Sequence, residues 1–358
     1  MRIGILTFHC AINYGAVLQC YALLKYLERL GHDVYVIDYR PPVITEVYRA
    51  WSWRRCKSDK FIGRIRCFLS EVYNFPNRRG RRKYFEEFEK DFFKCVPVST
   101  INKEPFDYIF VGSDQVWNFN LTKGFDSFYW GNFQHPCNTK LVSYAASMQD
   151  DWEDDKNIFI KKYLTFFSGI SVRESTLRDA LQPLVDKQIF HVCDPTLLLS
   201  EEQWNLIVND PPIKSNYVFL YMVNENKKEI EVAKCIAQKY GLSLVYLSGL
   251  ANKGNSAGLA RTSPSLMLGL IKNASLVMAS SFHGTVFSLI FKKKFLSIRH
   301  NNGKDNRVLS LLKPLGLEKH FVTIDECVDC SFDLEDYSNY DLSSISVTGE
   351  NFLKSILM

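Results

Sequence analysis

Short runs of consecutive apolar residues recur along the first half of the chain, separated by segments with an apolar residue every three or four positions. Such runs are typical of strands buried on both faces of a parallel sheet, and the longer spacing is typical of amphipathic helices. The predicted strands cover 2–6, 32–38, 108–111, 140–145, 170–172 and 189–193, and the predicted helices cover 15–30 and 152–167.

The second half of the chain repeats this alternation after a polar stretch that contains Pro211 and Pro212. Its predicted strands cover 217–222, 243–247, 275–279 and 294–298, and its predicted helices cover 227–240, 265–273, 285–291 and 305–315. Two such segments predict an α/β protein with two doubly wound, Rossmann-like domains that face each other across a cleft. We place the N-terminal domain at 1–208, with a basic helical insert at about 46–95, and the C-terminal domain at 209–358.

Length and composition are those of a soluble protein with more than one core: 358 residues, 46% hydrophobic and 23% charged. No apolar run approaches the ~18 residues of a membrane-spanning helix, and the chain opens on a strand pattern rather than a secretion leader. The ten cysteines are scattered, as in proteins of a reducing compartment, so we expect a cytoplasmic protein. Cys327 and Cys330 lack a second ligand pair, and no metal site is predicted.

The net charge of +5 is unevenly distributed, because basic residues concentrate in the insert. A basic face that carries aromatic residues can rest on an anionic membrane or bind a phosphorylated lipid, and a solvated amphipathic helical pair is the other interpretation. Nucleic-acid binding is not expected, because no recognised motif accompanies the charge. The basic residues are Arg54, Arg55, Lys57, Lys60, Arg64, Arg66, Arg78, Arg79, Arg81 and Arg82, interleaved with Trp51, Trp53, Phe61, Phe68 and Phe75.

Polar residues and glycines repeatedly come directly after predicted strands, and His283 stands out among them. It lies between strand 275–279 and helix 285–291, at the edge of the sheet where open α/β proteins bind ligands. A helix N-terminus favours anions, and an imidazole can donate a proton near neutral pH. The alternative is a histidine that only hydrogen-bonds the turn. The other residues of this kind are His9, Asn13, Gly15, Gly112, Ser113, Asp114, Arg173, Glu174, Ser280 and Ser281, and the backbone N–H of Gly284 could bind a further oxygen.

Several common nucleotide and hydrolase motifs are missing from the sequence. It has no Gly-x-x-x-x-Gly-Lys-Ser/Thr loop, which argues against a P-loop kinase or ATPase. No Gly-x-Gly-x-x-Gly follows the first strand, and no Gly-x-Ser-x-Gly elbow is present. A dinucleotide oxidoreductase and an α/β-hydrolase are therefore disfavoured.

Five motifs in this order resemble the polysaccharide pyruvyl transferase family. They are Asn-Tyr-Gly-Ala-Val-Leu-Gln at 13–19, Val-Gly-Ser-Asp-Gln-Val-Trp-Asn at 111–118, Ser-Val-Arg-Glu at 171–174, Cys-Asp-Pro-Thr-Leu-Leu at 193–198 and Ser-Phe-His-Gly-Thr at 281–285. The resemblance implies a glycosyltransferase B-like fold and transfer of a pyruvyl group from phosphoenolpyruvate onto two hydroxyls of a sugar, with a cyclic ketal and phosphate as products. It also implies an acceptor that is a surface polysaccharide or its lipid-linked precursor, as in capsule or exopolysaccharide assembly. No cofactor beyond the phosphoenolpyruvate donor is expected.

Under this interpretation His283 protonates the donor or stabilises the leaving phosphate, and Asp114 accepts the proton of the attacking hydroxyl. Arg173 is expected to bind the carboxylate or phosphate of the donor. The remaining substrate-binding candidates are Asn13, Gly112, Ser113, Ser281, Gly284 and Arg307. The N-terminal domain is then the acceptor side, the C-terminal domain is the donor side, and the protein lies in the cytoplasm, either free or at the inner face of the membrane.

The sequence departs from the family at one place. Some members carry an arginine one or two positions before this histidine, and Ser281 and Phe282 stand there in this chain. Another cation must then bind the donor, and the candidates are Arg173, Arg261, Arg299 and Arg307. Three other functions stay open: a glycosyltransferase B-type enzyme with a nucleotide-sugar donor, a non-catalytic partner in glycan assembly and, least favoured, a nucleic-acid-binding protein.

Overall fold

The computed structural model describes residues 1–52, 61–148, 152–249, 259–300, 305–329 and 340–358. Two sheets form the framework, and every strand pair in both of them is parallel. The predicted α/β class with two Rossmann-like sheets is confirmed. None of the described helices combines the length and the apolar character needed to cross a bilayer.

The first sheet has seven strands in the spatial order β3-β2-β1-β4-β5-β6-β7. Chain order reverses between β1 and β4, so the loops after these two strands diverge and leave a crevice at their carboxyl ends. The strands are β1 (Arg2–Leu6), β2 (Asp33–Asp38), β3 (Cys95–Pro97), β4 (Tyr108–Val111), β5 (Lys140–Ala146), β6 (Phe167–Val172) and β7 (Ile189–His191).

The second sheet has five strands in the order β12-β11-β10-β8-β9, and its reversal point lies between β8 and β10. The predicted strands over 217–222 and 275–279 therefore flank the second crevice. The strands are β8 (Tyr217–Met222), β9 (Ser243–Ser248), β10 (Leu276–Ala279), β11 (Phe295–Arg299) and β12 (Phe321–Thr323).

Helices connect the parallel strands and cover the sheets. The longer ones are α1 (Tyr14–Arg29), α3 (Phe61–Phe92), α6 (Asn157–Leu164), α7 (Ser175–Leu181), α9 (Lys227–Lys239), α10 (Pro264–Lys272), α11 (Phe282–Ile290), α12 (Asn306–Leu312) and α14 (Ser343–Leu357). The shorter ones are α2 (Pro42–Thr45), α4 (Thr100–Lys103), α5 (Phe119–Thr122), α8 (Glu201–Asn205) and α13 (Ile324–Asp329).

The main core lies between the two sheets. Alternate residues of β1 divide between two apolar clusters: Ile3 and Ile5 join the central cluster, and Leu6 joins a cluster on the opposite face of the first sheet. The central cluster continues through Tyr21 of α1 and Phe287 of α11, so it includes elements of both sheets. The sheets are thus joined by shared apolar burial as well as by the connecting chain.

The described part of the predicted basic insert is dominated by one long helix, α3. Its C-terminal half docks on the second sheet, where buried Arg81 donates hydrogen bonds to the carbonyl oxygens of Ser248, Gly249 and Ala260 at 2.9–3.0 Å. The insert therefore contacts both halves of the molecule. Five residues that the sequence pattern assigned to it, Trp53, Arg54, Arg55, Lys57 and Lys60, lie outside the described residues.

The last helix, α14, returns to the first sheet although it belongs to the second half of the sequence. The Tyr108 hydroxyl donates to the carbonyl oxygen of Ile356 at 2.9 Å, and the Cys193 N–H donates to the Thr348 hydroxyl at 3.1 Å. Gly349 lies so close to Tyr144 that an added Cβ would stand 2.2 Å from its hydroxyl oxygen. The chain therefore crosses between the sheets twice.

One local prediction was wrong. The helix expected over 152–167 is shorter, because α6 ends at Leu164 and the buried Phe167 already pairs with Leu141 as the first residue of β6. Most of the described cysteines are free, so they form no disulfide framework within the part of the chain that the structure describes. Within the described residues seven cysteines have free thiols, and Cys67 forms a disulfide bond. Cys330 of the Cys-x-x-Cys pair lies outside the described residues, and Cys327 is buried.

Candidate active site

The loops after β1, β4, β8 and β10 converge on one cavity of about 300 Å³. Both crevices of the fold open into it, because these loops leave the two reversal points of strand order. A second cavity of about 590 Å³ adjoins it and shares Phe282 and Arg307 in its lining. A third cavity, of about 620 Å³, lies beside α14 and contains none of the predicted site residues. The first cavity is therefore the candidate site, although it is not the largest.

His283 lies in the first turn of α11 rather than before the helix. Ser281 is extended, and its carbonyl oxygen already accepts from the Thr285 N–H at 3.1 Å, so the helix begins at Phe282. The side chain of Ser281 makes no capping bond. The N–H groups of the first turn and the positive end of the helix dipole therefore lie at the cavity, where they favour an anion.

The imidazole of His283 packs directly against Gly15 in the first turn of α1. An added Cβ on Gly15 would stand 2.0 Å from His283 Nδ1, far inside van der Waals contact. Position 15 thus has to be glycine for this ring position to exist. This contact joins the Asn-Tyr-Gly segment to the Ser-Phe-His-Gly segment. Gly15 and His283 are 268 residues apart in the sequence.

The other end of the same imidazole points to Asp194. His283 Nε2 lies 3.5 Å from Asp194 Oδ2, and it has no hydrogen-bond partner among the described residues. The Asp194 Oδ1 atom accepts from the N–H and the hydroxyl of Thr196, at 3.0 and 2.7 Å. A fixed carboxylate beside a buried imidazole restricts the orientation of the ring.

Arg173 is buried behind this pair, with its guanidinium surrounded by acidic groups. Its Nη1 donates to Asp194 Oδ2 at 2.7 Å, and its Nη2 donates to the Ser147 hydroxyl at 3.1 Å. Glu174 and Asp114 carboxylate oxygens lie at 3.5 and 3.8 Å. We expected Arg173 to bind the donor directly. In the structure the N–H groups of Arg173 instead bind Asp194 and Ser147, and Arg173 does not line the cavity.

The charges of this network lower the pKa of Asp194 and raise that of Arg173, so both groups stay ionised. Burial alone would raise the pKa of the Asp194 carboxyl, but His283 and Arg173 outweigh burial and hold that pKa well below its usual range. Burial lowers the pKa of the Arg173 guanidinium, yet Asp194, Glu174 and Asp114 together raise it above its ordinary value. A charge so compensated can persist in the interior.

Arg307 is the arginine that lines the cavity. Its guanidinium carbon lies 5.7 Å from the centre of the Phe282 ring, and that of Arg173 lies 5.1 Å from the same ring. Burial, followed by repulsion from Arg173, lowers the pKa of Arg307 to about 10. The residue remains cationic at neutral pH, and an additional anion beside it would raise its pKa again. The Phe282 ring thus lies near two arginines from elsewhere in the chain.

The two remaining candidate arginines lie away from this cavity. Arg261 is exposed, and its Nε donates to the Asn77 side chain on α3 at 3.2 Å. Arg299 forms an ion pair with Glu326 at 3.7 Å. Of the four candidates, the structure brings Arg307 and Arg173 together beside His283.

Asp114 and Asn13 line the cavity from the first domain. Asp114 has φ +70, a left-handed conformation that aspartate tolerates better than most residues, and its Oδ1 accepts from the Gln115 N–H at 2.9 Å. The Asn13 side-chain oxygen caps α1 by accepting from the Ala16 N–H at 3.2 Å. Tyr48 also lines this wall, and burial is the largest cause that raises its pKa to about 12.

Three predicted binding residues shape the turns instead of lining the cavity. The Gly112 N–H donates to the Leu6 carbonyl oxygen at 3.0 Å, so it is not available to a ligand. Ser113 is fully buried, and its hydroxyl donates to the Ala145 carbonyl oxygen at 2.9 Å. Gly284 allows α11 to approach β10, because an added Cβ would stand 2.7 Å from that of Ala279. Ser281 does line the cavity.

One group of metal-capable side chains occurs within the described residues, at a distance from His283. It consists of His9, Glu89 and Cys95. Their charges are already compensated, because His9 Nε2 lies 3.0 Å from Asp38 Oδ1, and Arg40 bridges Asp38 and Glu89. Burial, followed by Glu89, raises the pKa of the Cys95 thiol to about 12, which disfavours the thiolate that a metal needs.

The sequence patterns gave no role to Asp194, Gly15 or Tyr48. Asp194 follows a predicted strand and opens the Asp-Pro-Thr segment, so the rule that identified Asp114 would have found it as well. Gly15 also follows a strand, but it must be glycine because the His283 side chain of the other domain packs against it. No local signal identifies Tyr48, which follows the short helix α2.

A model of the polysaccharide pyruvyl transferase family matches residues 13–302, which is most of the chain. The matched range includes Asn13, Asp114, Arg173 and His283. Functionally curated proteins give no match to this sequence.

Solved structures with a similar backbone are UDP-N-acetylglucosamine 2-epimerases. A Listeria monocytogenes protein provisionally named as such has a TM-score of 0.52 and 10% identity, over 99% of this chain and 95% of its own. Another epimerase has a TM-score of 0.51 and 12% identity, over 99% and 95%. The Neisseria meningitidis enzyme, bound to UDP-GlcNAc, has a TM-score of 0.50 and 12% identity, and both chains are covered completely. At these identities the similarity supports the fold alone, a glycosyltransferase B-like pair of Rossmann domains.

Proposed function

The chain belongs to the polysaccharide pyruvyl transferase family, and from this premise we propose that it transfers a pyruvyl group from phosphoenolpyruvate to two hydroxyls of a sugar. The product is a cyclic ketal, and phosphate is released. One observation carries the proposal: His283, Arg307 and the N-terminus of α11 lie at one cavity between the two domains. A small, strongly anionic donor suits exactly such a combination of cation, dipole and proton donor.

The donor is held from the second domain. Arg307 offers parallel N–H donors to a carboxylate or a phosphate, and the first-turn N–H groups of α11 bind further oxygens. An anion beside Arg307 would relieve the unfavourable burial that now lowers its pKa. Arg307 thereby takes the place of the arginine that some relatives carry directly before the histidine.

The reaction then needs one proton on carbon and one attacking oxygen at a time. His283 gives a proton to the methylene carbon of the enolpyruvyl group, which leaves the central carbon electrophilic. A sugar hydroxyl adds to that carbon and loses its proton, phosphate departs with the electrons of the carbon–oxygen bond, and the second hydroxyl closes the ring. One hydroxyl proton ends on the new methyl group and the other on phosphate, so the charges balance.

Asp114 accepts the proton of the attacking hydroxyl from the first domain. Its side chain lines the cavity opposite Arg307, and Asn13 stands beside it to bind the acceptor sugar. Arg173 and Asp194 act through position: they hold the imidazole of His283 and support Phe282 from behind. The acceptor is a surface polysaccharide or its lipid-linked precursor, which places the protein in the cytoplasm or at the inner face of the membrane.

Calorimetric titration with phosphoenolpyruvate, beside UDP-N-acetylglucosamine, tests the donor. Saturable phosphoenolpyruvate binding is expected, and Arg307→Gln should weaken it about 10–100-fold, because a charge-assisted hydrogen bond to an anion contributes ~1.5–3 kcal/mol. Arg261→Gln is the matched control: it removes the same side chain from an exposed position outside the cavity and should leave affinity unchanged.

Two results would overturn the proposal. Binding of the nucleotide sugar without phosphoenolpyruvate would make the protein a glycosyltransferase. Equal affinity for phosphoenolpyruvate in wild type, Arg307→Gln and Arg261→Gln would remove the cavity from donor binding. If phosphoenolpyruvate binds as expected, release of phosphate in the presence of a saccharide with vicinal or 4,6-type hydroxyls would identify the acceptor class.

A further inference from the structure

The first half of α3 exposes a continuous stripe of large apolar side chains. Phe61 is 77% exposed, Ile62 65%, Ile65 44%, Leu69 59% and Val72 47%. At about 100° per residue these five positions fall within an arc of roughly 100° on one side of the helix. Isolated exposed apolar residues are ordinary, but a contiguous stripe of this kind marks an interaction surface.

The opposite side of the same helix faces the protein. Glu71, Asn74, Arg81, Phe85 and Phe88 are buried, and at 3.6 residues per turn they centre roughly 180° from the stripe. The buried side is polar at first, where the Arg78 guanidinium donates to Glu71 Oε1 at 2.6 Å. From Glu71 onward α3 therefore buries the side opposite the stripe, and packing against the described residues does not account for the stripe.

The sequence segment that contains the stripe is strongly basic. Residues 49–83 contain twelve basic and two acidic side chains, a net charge of +10, while the whole chain carries +5. One of the two acidic side chains, Glu71, is already paired with Arg78. Exposed Arg66 borders the stripe, and exposed Arg79 lies on its side of the helix about two turns further on. The remainder of the chain is correspondingly net negative.

We propose that the apolar stripe of α3, Phe61 to Val72, docks on an anionic lipid bilayer. Apolar side chains on one side of a helix enter the boundary between headgroups and acyl chains, and flanking arginines bind anionic headgroups. A second copy of the chain would bring two segments of the same high positive charge together, which disfavours self-association through the stripe. An anionic bilayer satisfies the apolar side and the charge simultaneously.

The same helix leads from this surface to the candidate site. Beyond Pro76, the residues Arg82, Phe85 and Glu89 line a small cavity that shares Ile12 and Tyr48 with the cavity of His283. Docking of the stripe would hold the cleft beside the bilayer, where a lipid-linked sugar presents its hydroxyls. This last consequence rests on the proposed function, whereas the docking itself does not.

Flotation of the purified protein with vesicles tests the docking without any assay of activity. Vesicles of phosphatidylcholine alone are compared with vesicles of equal parts phosphatidylcholine and phosphatidylglycerol, at low and high salt. Wild type should float with the anionic vesicles, and salt should weaken the binding. Ile62→Ser/Leu69→Ser should weaken it at least about tenfold, because each fully buried aliphatic side chain contributes ~1.5–3 kcal/mol.

The matched control is Ile158→Ser/Leu206→Ser, which removes two aliphatic side chains that are 77% and 82% exposed but lie outside the stripe. This variant should bind anionic vesicles like wild type. Equal binding by the stripe variant and the control variant would overturn the proposal. The proposal would also be overturned if neither wild type nor the stripe variant bound vesicles and wild type formed a dimer that only the stripe variant lost. Phosphoenolpyruvate affinity should be the same in all three proteins, which separates this test from that of the donor site.

Discussion

Each side of the central cavity has one buried arginine, and the pKa values of the two are shifted in opposite directions. Arg173 lies behind the first wall of the cavity, and Arg307 lines the second wall. In the first domain, Arg173 is surrounded by Asp194, Glu174 and Asp114, and their charges raise its pKa despite burial. In the second domain, burial and the repulsion from Arg173 lower the pKa of Arg307 to about 10. The same three carboxylates also act to raise the pKa of Arg307, but burial and Arg173 outweigh them. This difference is the reason why the proposed function gives donor binding to Arg307 and a positioning role to Arg173.

The same contrast explains why His283 belongs functionally to both walls. Its backbone lies in α11 of the second domain, its Nε2 lies beside Asp194 of the first, and its ring rests on Gly15. In the proposed function, the side chain that supplies the proton is therefore positioned by residues of the domain opposite Arg307.

Removing the counter-ion from the first wall should have the largest effect. Asp194→Ala leaves Arg173 buried without its closest carboxylate, and loss of one partner of a buried pair costs about 3–5 kcal/mol of unfolding free energy. Chemical denaturation measures it. The matched change on the second wall, Ser281→Ala, should cost less, about 0.5–1.5 kcal/mol, since this side chain makes no capping bond and loses one hydrogen bond between uncharged groups, with Tyr221. Similar losses for both variants would contradict the division between the walls.

Removing the proton donor should affect rate more than stability. His283→Asn is expected to lower the turnover of phosphate release by about 10²–10⁴-fold, the usual contribution of a positioned acid or base. Its unfolding free energy should fall by less than that of Asp194→Ala, because Arg173 and Thr196 still bind the Asp194 carboxylate. Phosphate release, thermal unfolding and phosphoenolpyruvate titration are measured on the same preparation. Full activity in a folded variant would exclude His283 from the chemistry.

Forcing the walls apart should have an intermediate effect. Gly15→Ala places a methyl group where the His283 ring lies, and overpacking of this kind costs about 1–3 kcal/mol. The ring must shift, so phosphate release should fall while phosphoenolpyruvate affinity, which depends on Arg307, stays close to wild type. Gly31→Ala is a comparison at a glycine whose added Cβ meets no atom within 4 Å, although its φ of +85 adds backbone strain. Its rate of phosphate release should be unchanged.

Mild acid should produce the smallest effect and still distinguish the walls. The folded state holds the pKa of Asp194 below its ordinary value, so unfolding at low pH is coupled to proton uptake by this carboxyl. Its contribution is fully present above the unfolded pKa of ~3.9 and is lost as the pH falls below it. The unfolding free energy of wild type should therefore decline more steeply below that pH than that of Asp194→Asn. Parallel curves would mean that Asp194 is not held ionised.

The strands that the sequence predicted to the residue are those that the fold buries on both faces. Tyr108–Val111 and Tyr217–Met222 have no exposed position, so their apolar runs are complete. The edge strands Cys95–Pro97 and Phe321–Thr323 were missed, because three residues with mixed exposure leave no periodic signal. Helix α11 was predicted three residues late, because its first turn contains the Ser-Phe-His-Gly segment that reads as a loop.

The candidate site was predictable where position after a strand sufficed, as for Asn13, Asp114 and His283. It was not predictable where the partner is distant in sequence. Arg173 carries every sequence property of a donor ligand, and only the fold brings Asp194 and Asp114 onto its guanidinium. Arg307 follows no predicted strand directly, yet it is the cation at the cavity.

The return of α14 to the first sheet has a mechanical consequence. The second sheet is attached to the first by two covalent connections, one on the way out after α8 and one on the way back before α14. A body held at two points can rotate about the line that joins them far more readily than it can swing or twist freely. The packing of the His283 imidazole on Gly15 adds a non-covalent contact between the same two halves, so any rotation about that line would have to separate this pair.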